Sequence, residues 1–161
     1  MILIALGANL PSPTGAPVDA LRAALTRLEE RGVKILSVSS FYESPAWPDP
    51  GQPSFTNAVA VVETALQPVE LLTLLHGVET DYGRLRSAPN AARTLDLDLL
   101  DYGGRVMADG VTLPHPRMHQ RSFVLVPLAE VAPSWRHPLN GRSAKELLAG
   151  VTDRDAPKKL A

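Results

Sequence analysis

Asp96 and Asp98 stand two residues apart within "ARTLDLDLLDYGG", Ala92 to Gly104, and Leu95, Leu97 and Leu99 fill the alternate positions. Successive side chains of an extended strand point to opposite faces, so the spacing predicts leucines on one side and both carboxylates on the other. Two like charges about 5 Å apart repel by roughly 3 kcal/mol at an effective dielectric of about 20. A hard divalent cation would turn that liability into a shared site. Magnesium takes carboxylate oxygens, keeps several waters and is completed by substrate phosphates. Without a cation, the pair is simply two charges on a solvated sheet face.

Arginines bracket the pair. Arg84, Arg86, Arg93, Arg105, Arg117 and Arg121 fall between positions 84 and 121, with no lysine among them. Forked guanidinium groups suit phosphate, although arginine is also common in GC-rich coding. Cation-binding carboxylates on one side and arginines on the other are the machinery of phosphoryl transfer. The chain has no "GxxxxGK[ST]", so this is not a P-loop, and "LGAN" with its single glycine is a weak phosphate signal. His115 and His119 have the spacing of helical zinc ligands, but Pro114 and Pro116 oppose a regular helix there, and no third ligand is evident. His115 reads better as a phosphate contact on a rigid loop or as a loop histidine without a role.

"QPSFTNAV" and "RSFVL" supply Phe55, Asn57 and Phe123. Taken alone, both phenylalanines read as core residues. The alternative is a pair of rings sandwiching a flat heterocycle while the Asn57 amide pairs with its edge.

The elements that must hold these residues follow from periodicity. "MILIALGANL" is a buried strand, "VDALRAALTRLEERG" a helix stopped by Gly32, and "VKILSVSSFYESPAW" a strand with a slip in its alternation. "FTNAVAVVETAL" is a further strand, and "QPVELLTLLHGVETDYGRL" a helix opened by Pro68. The Asp strand comes next, followed by a hairpin around "GGR". Strand, helix, strand, strand, helix, strand is the split-βαβ order. The expected fold is therefore α+β: a ferredoxin-like sandwich, its sheet mixed or antiparallel with helices on one face, plus a C-terminal extension.

The chain has 161 residues, with 45% hydrophobic and 20% charged residues, as expected of one globular domain over 1–161. Its net charge of -1 offers no footprint for nucleic acid. It has no cysteine, which excludes disulfides and thiolate chemistry. "ILIALG" is too short and lacks the basic flank of a signal peptide, and no run of 18 apolar residues spans a membrane, so a cytoplasmic protein is expected.

"FYESPAW…GQPSFTNAV", "GRLR…RTLDLDLLDYG" and "LPHPRMHQRSFVLVPLAEVAP" together resemble the 6-hydroxymethyl-7,8-dihydropterin pyrophosphokinases of folate biosynthesis, from "ALGANL" to about Pro133. The resemblance implies transfer of pyrophosphate from ATP to the hydroxymethyl oxygen of the pterin, with release of AMP. It places two magnesium ions on Asp96 and Asp98. The pterin would lie between Phe55 and Phe123, bonded by Asn57 and edged by Ser44, Pro45 and Ala46. Glu79, Arg86, Arg93, Leu99, Thr112, His115 and Arg121 match nucleotide-contacting positions, with His76 a weaker match. Arg84 matches a mobile-loop arginine that, with Arg93 and the aspartates, serves catalysis. The partners implied are small molecules, with no nucleic acid or membrane, and a monomer is expected. One departure stands out: the family's "RWGPRTLDLD" reads "PNAARTLDLD", so Pro89 and Asn90 replace an arginine and a tryptophan, and Trp47 is a candidate substitute ring. Two rival readings are a pterin- and nucleotide-binding module without turnover, and a ferredoxin-like protein binding RNA or protein through an open sheet.

Overall fold

The structure is a computed structural model, and it describes residues 1–9, 16–45, 51, 53–81, 95–151 and 157–160. Ala46, Arg84, Arg86 and Arg93 lie outside these, as do Trp47, Pro89 and Asn90. The elements run β1 (Ile2–Ala8), α1 (Pro17–Glu30), β2 (Lys34–Val38), β3 (Tyr42–Ser44), β4 (Phe55–Glu63), α2 (Pro68–Asp81) and β5 (Asp96–Tyr102). A 3₁₀ turn (Met118–Gln120), α3 (Ser122–Val131), α4 (Ala144–Ala149) and β6 (Lys158–Lys159) follow. No described helix is long and apolar enough to cross a membrane.

The sheet order is β5-β1-β4-β3-β6, with β2 also pairing β4, and every ladder is antiparallel. That is the split-βαβ order, with its second strand divided into β2 and β3. The slip in the "VKILSVSS" alternation has a physical cause. The β2–β4 register shifts between Ile35 and Ser37, which leaves Leu36 as the extra residue, 51% exposed.

Ile4, Leu6, Leu95, Leu97 and Leu99 bury one sheet face against Leu21 and Leu28 of α1 and Leu71, Leu75 and Val78 of α2. The three strand leucines therefore do what their alternation predicts. The opposite face is not open. Leu3, Val59, Val61 and Leu100 pack there against Val124, Leu125 and Leu128 of α3 and Leu147 of α4. Helices thus cover both faces rather than one, and Asp96 and Asp98 stand beside the second helical layer. A bulge in β5 sets this layer's edge: Ile4 pairs Leu99 but Leu3 pairs Asp101, so Leu100 and Asp101 turn to the same side. Buried Asp101 accepts hydrogen bonds from the Trp135 indole at 2.9 Å and from the Gly104 N–H at 3.2 Å. The hairpin expected around "GGR" is a tight turn, with Gly103 and Gly104 at φ of 61° and 77°, followed by a single bridge from Met107 to Leu113.

Glu130 of α3 straps the second layer to β3. Its carboxylate accepts hydrogen bonds from the Ser40 N–H at 2.8 Å, the Ser40 hydroxyl at 3.0 Å and the Tyr42 hydroxyl. Burial and then the Glu130 bond and charge push the Tyr42 phenol up to about 12. Burial alone would raise the Glu130 carboxyl, but the bonds from Tyr42 and Ser40 outweigh it and hold that group below its ordinary value. Tyr42→Phe is expected to cost about 1 kcal/mol in urea unfolding and Glu130→Ala, which also breaks the two Ser40 bonds, about 2 kcal/mol, with less than the sum in combination because they share the Tyr42–Glu130 bond. Strict additivity would contradict the strap.

Candidate active site

Strand register brings distant residues into one row. Asp96 of β5 is paired with Gly7 of β1, Gly7 with Asn57 of β4, and Asn57 with Tyr42 of β3. One step along, Asp98 pairs with Ala5, and Phe55 with Ser44. Residues directly opposite each other share a face, so both aspartates, Asn57, Phe55 and Ser44 all point toward the side that carries α3 and α4.

A cavity of about 980 Å³ opens on that side. Ser44, Pro45, Phe55, Asn57, Asp96, Asp98, Arg121 and Phe123 all line it, so the structure gathers the predicted pterin and metal residues it describes at one site. Phe55 and Phe123 are only half-buried, as rings facing a cavity must be, whereas Asn57 and Ser44 are buried. Phe123 projects from the first turn of α3, and the Arg121 guanidinium stands 5.4 Å from its ring centroid. The Asn57 amide donates to the Ser44 hydroxyl at 3.0 Å, which ties β4 to β3 at the cavity wall. Asn9, just past β1, donates to the Pro53 carbonyl at 3.1 Å and fixes the entry to β4.

Of the other predicted nucleotide residues, Glu79, Leu99 and His115 meet at the outer edge of β5. There the Glu79 carboxylate accepts the Leu97 N–H at 2.8 Å, and the His115 N–H donates to the Leu100 carbonyl at 2.8 Å. The Leu99 side chain is core, so a contact from this residue to a ligand must come from its backbone, which alternation turns to the same edge as that of Leu97. His76 is half-buried on α2, and Thr112 is exposed. Glu79 is 1% exposed and already has a task, satisfying an edge-strand donor.

His115 Nδ1 accepts the Arg117 N–H at 3.2 Å, which requires a neutral ring. Burial, then the Arg121 charge, push its imidazole down to about 4; Asp96 opposes the shift and Arg117 adds to it. The unfolded chain, with an ordinary value near 6.5, binds the proton first as pH falls. His115 therefore contributes stability that is whole above about 6.5, declines through the window and is gone below about 4, roughly 1–3 kcal/mol in the ligand-free protein. NMR titration of its ring nitrogens is expected to give a midpoint near 4, and a midpoint at 6 or above would contradict this placement. His119 lines the cavity, its ring 6.0 Å from that of His137. The 3₁₀ turn carries Arg117 and Arg121 to the same cavity without a continuous helix.

The donor set suits magnesium. Asp96 and Asp98 alternate on one face of a rigid strand and open into the cavity, while no group of three or more His, Cys, Asp or Glu that could hold a metal occurs among the described residues. Two carboxylates with room for water and phosphate oxygens fit a cation that dehydrates reluctantly.

Sequence reasoning gave no site role to Ala5, Asn140 and Arg142, read Gly7 only as a weak phosphate signal and weighed His119 only as a zinc ligand, yet all five line the cavity. The glycine of "LGAN" and the spacing of His119 from His115 were the only local signals for these five. Residues 140 and 142 reach the site through the extension, whose path no motif reveals.

The sequence profile described as 7,8-dihydro-6-hydroxymethylpterin-pyrophosphokinase matches residues 3–133. A relative from Haemophilus influenzae named 2-amino-4-hydroxy-6-hydroxymethyldihydropteridine pyrophosphokinase is 40% identical over 152 residues, 93% of this chain and 92% of its own. One of the same name from Synechocystis is 39% identical over 151 residues, 92% of this chain and 75% of its own. In fold, the chain resembles the solved Plasmodium falciparum HPPK-DHPS with pteroate, with a TM-score of 0.72 at 13% identity over 92% of this chain. It spans only 43% of that longer one. A matching profile over most of the chain, near-full-length relatives at about 40% identity and the gathered site agree: this chain belongs to the 7,8-dihydro-6-hydroxymethylpterin-pyrophosphokinase family.

Proposed function

We propose that the protein transfers the terminal diphosphate of ATP to the hydroxymethyl oxygen of 6-hydroxymethyl-7,8-dihydropterin, releasing AMP, as a step of folate biosynthesis. Family membership supports the activity. The observation that supports this reading of the site is the row Asp96–Gly7–Asn57, which sets a carboxylate, read as the cation end, beside an amide, read as the heterocycle end.

Phe55 and Phe123 hold the pterin ring by its faces, and Asn57 engages its edge from a side chain anchored on Ser44. Asp96 and Asp98 would hold two magnesium ions, which when bound neutralise charge on the triphosphate. Arg121 supplies fixed positive charge on the cavity wall, while Glu79, His115 and the Leu99 backbone define an edge for the nucleotide base and sugar. Arg84, Arg86 and Arg93, with Ala46 at the pterin's rim, complete the proposed set from outside the described residues.

In the transfer, the hydroxymethyl oxygen bonds to the β-phosphorus, and the bond from that phosphorus to the α,β-bridging oxygen breaks. AMP leaves with the bridging oxygen, and the hydroxyl proton goes to solvent. A loose transition state leaves that proton in place until late, so positioning and electrostatics carry the catalysis and no general base is assigned. The reaction calls only for small-molecule partners, and we read the protein as a cytoplasmic monomer.

Phosphorus labelling tests which group moves. Label in the β and γ positions of ATP is expected on the pterin and label in the α position on AMP. Transfer of the γ label alone would contradict the proposal.

A further inference from the structure

Gly7 lies at the centre of the site, directly opposite Asp96 on one side and Asn57 on the other. A glycine within a central strand weakens it, having no side chain to pack and more freedom to lose on folding. The usual excuse, a left-handed backbone, does not apply. The described glycines with positive φ are Gly32, Gly103, Gly104, Gly110 and Gly141, and Gly7 is not one of them. What Gly7 lacks is room. A Cβ built on it would stand 2.8 Å from Asn57 Oδ1 and 3.9 Å from Asn57 Cγ, closer to the oxygen than real Cβ atoms come. The remaining near atom is the Thr56 carbonyl oxygen at 3.8 Å, an ordinary contact.

The obstruction is therefore the Asn57 amide alone. That amide is fixed from behind, its nitrogen donating to the Ser44 hydroxyl at 3.0 Å, so its oxygen lies over the bare Gly7 backbone at the cavity wall.

We propose that Gly7 is a positioning residue for the pterin: its missing side chain is the space in which the Asn57 carboxamide lies flat, with its oxygen presented to the N–H edge of the heterocycle. This rests on the reading of Asn57 as the pterin's polar contact. It gives "LGAN" a role other than phosphate binding. A methyl group at position 7 pushes the carboxamide off its bond to Ser44 or into the slot, and displacement by a fraction of an ångström is enough to spoil a hydrogen-bonded site. The effect is confined to the pterin, because the three atoms nearest that methyl group belong to Thr56 and Asn57 and none to Asp96.

The test is a double-mutant cycle on the intact protein with Gly7→Ala, Asn57→Ala and both together. It reads pterin affinity by calorimetry in the presence of a non-hydrolysable magnesium–ATP analogue, affinity for that analogue alone, and melting temperature. Gly7→Ala is expected to weaken pterin binding about tenfold or more and to leave the analogue's affinity within about twofold. Adding Gly7→Ala to Asn57→Ala is expected to change pterin affinity no further. Melting carries an independent sign. Alanine stabilises a strand of ordinary dihedrals, so Gly7→Ala should lower the melting temperature when Asn57 is present and raise it when Asn57→Ala has removed the obstruction. If Gly7→Ala fails to fold, recovery of folding in the double variant supports the inference, and failure of both overturns it. Weak pterin binding in Asn57→Ala together with unchanged or strictly additive behaviour of Gly7→Ala overturns the role of Gly7 and leaves the pterin site standing. Unchanged binding in Asn57→Ala overturns the pterin reading and the role of Gly7 with it.

Discussion

Replacing Asp98 by alanine is expected to lower turnover by about a thousandfold or more while leaving the fold intact, and replacing Asp96 to do the same. The physical ground is the strand itself. Leu95, Leu97 and Leu99 hold β5 against α1 and α2, so neither carboxylate is needed to keep the strand in place. Both open into the cavity instead, paired with Ala5 and Gly7 on the central strand. Removing one leaves half of a two-carboxylate site, too few donors to hold the charge that offsets a triphosphate. Asparagine should fare little better, since it keeps the shape and loses the charge. The measurement is steady-state turnover at saturating magnesium, with circular dichroism as the control. A variant retaining more than about a tenth of wild-type turnover would remove these residues from the machinery.

Phe123→Ala is expected to raise the KM for the pterin about 10- to 100-fold, with little change in the KM for ATP. Stacking of a flat heterocycle on an aromatic ring is worth roughly 1–3 kcal/mol by alanine substitution. Phe123 sits half-buried in the first turn of α3, on the wall facing the sheet residues Phe55 and Asn57. It also packs partly against the second core, so some stability is lost with it, and assays belong well below the melting temperature. Phe123→Tyr keeps the ring and should keep the affinity. An equal rise in both KM values would point to general loosening of α3.

The origin of each feature decides how much of this could be read in the chain. The β5 alternation and the helices α1 and α2 are local periodicities, and residues 95–99 alone are enough to place leucines inward and aspartates outward. The second helical layer is not local. "SFVLVPLAEV" is apolar almost throughout and carries Pro127, so it offers neither a helical stripe nor a permissive helix interior, and tertiary burial against Val59 and Val61 makes it α3. The bulge at Leu100 is equally silent, because two successive residues on one face look like an ordinary run until the partner strand is known. The site divides in the same way. Residue types singled out Asp96 and Asp98, and the family resemblance was needed to move Phe55 and Phe123 from the core to the site beside Asn57, but the row through Gly7 depends on register across three strands, which the sequence does not state.

Incubating the purified protein with magnesium, ATP and 6-hydroxymethyl-7,8-dihydropterin, and following nucleotide products by chromatography, tests the central claim most directly. AMP is expected in step with pterin consumed, and none when the pterin is left out. ADP in place of AMP, or no nucleotide product while both ligands bind, would contradict it.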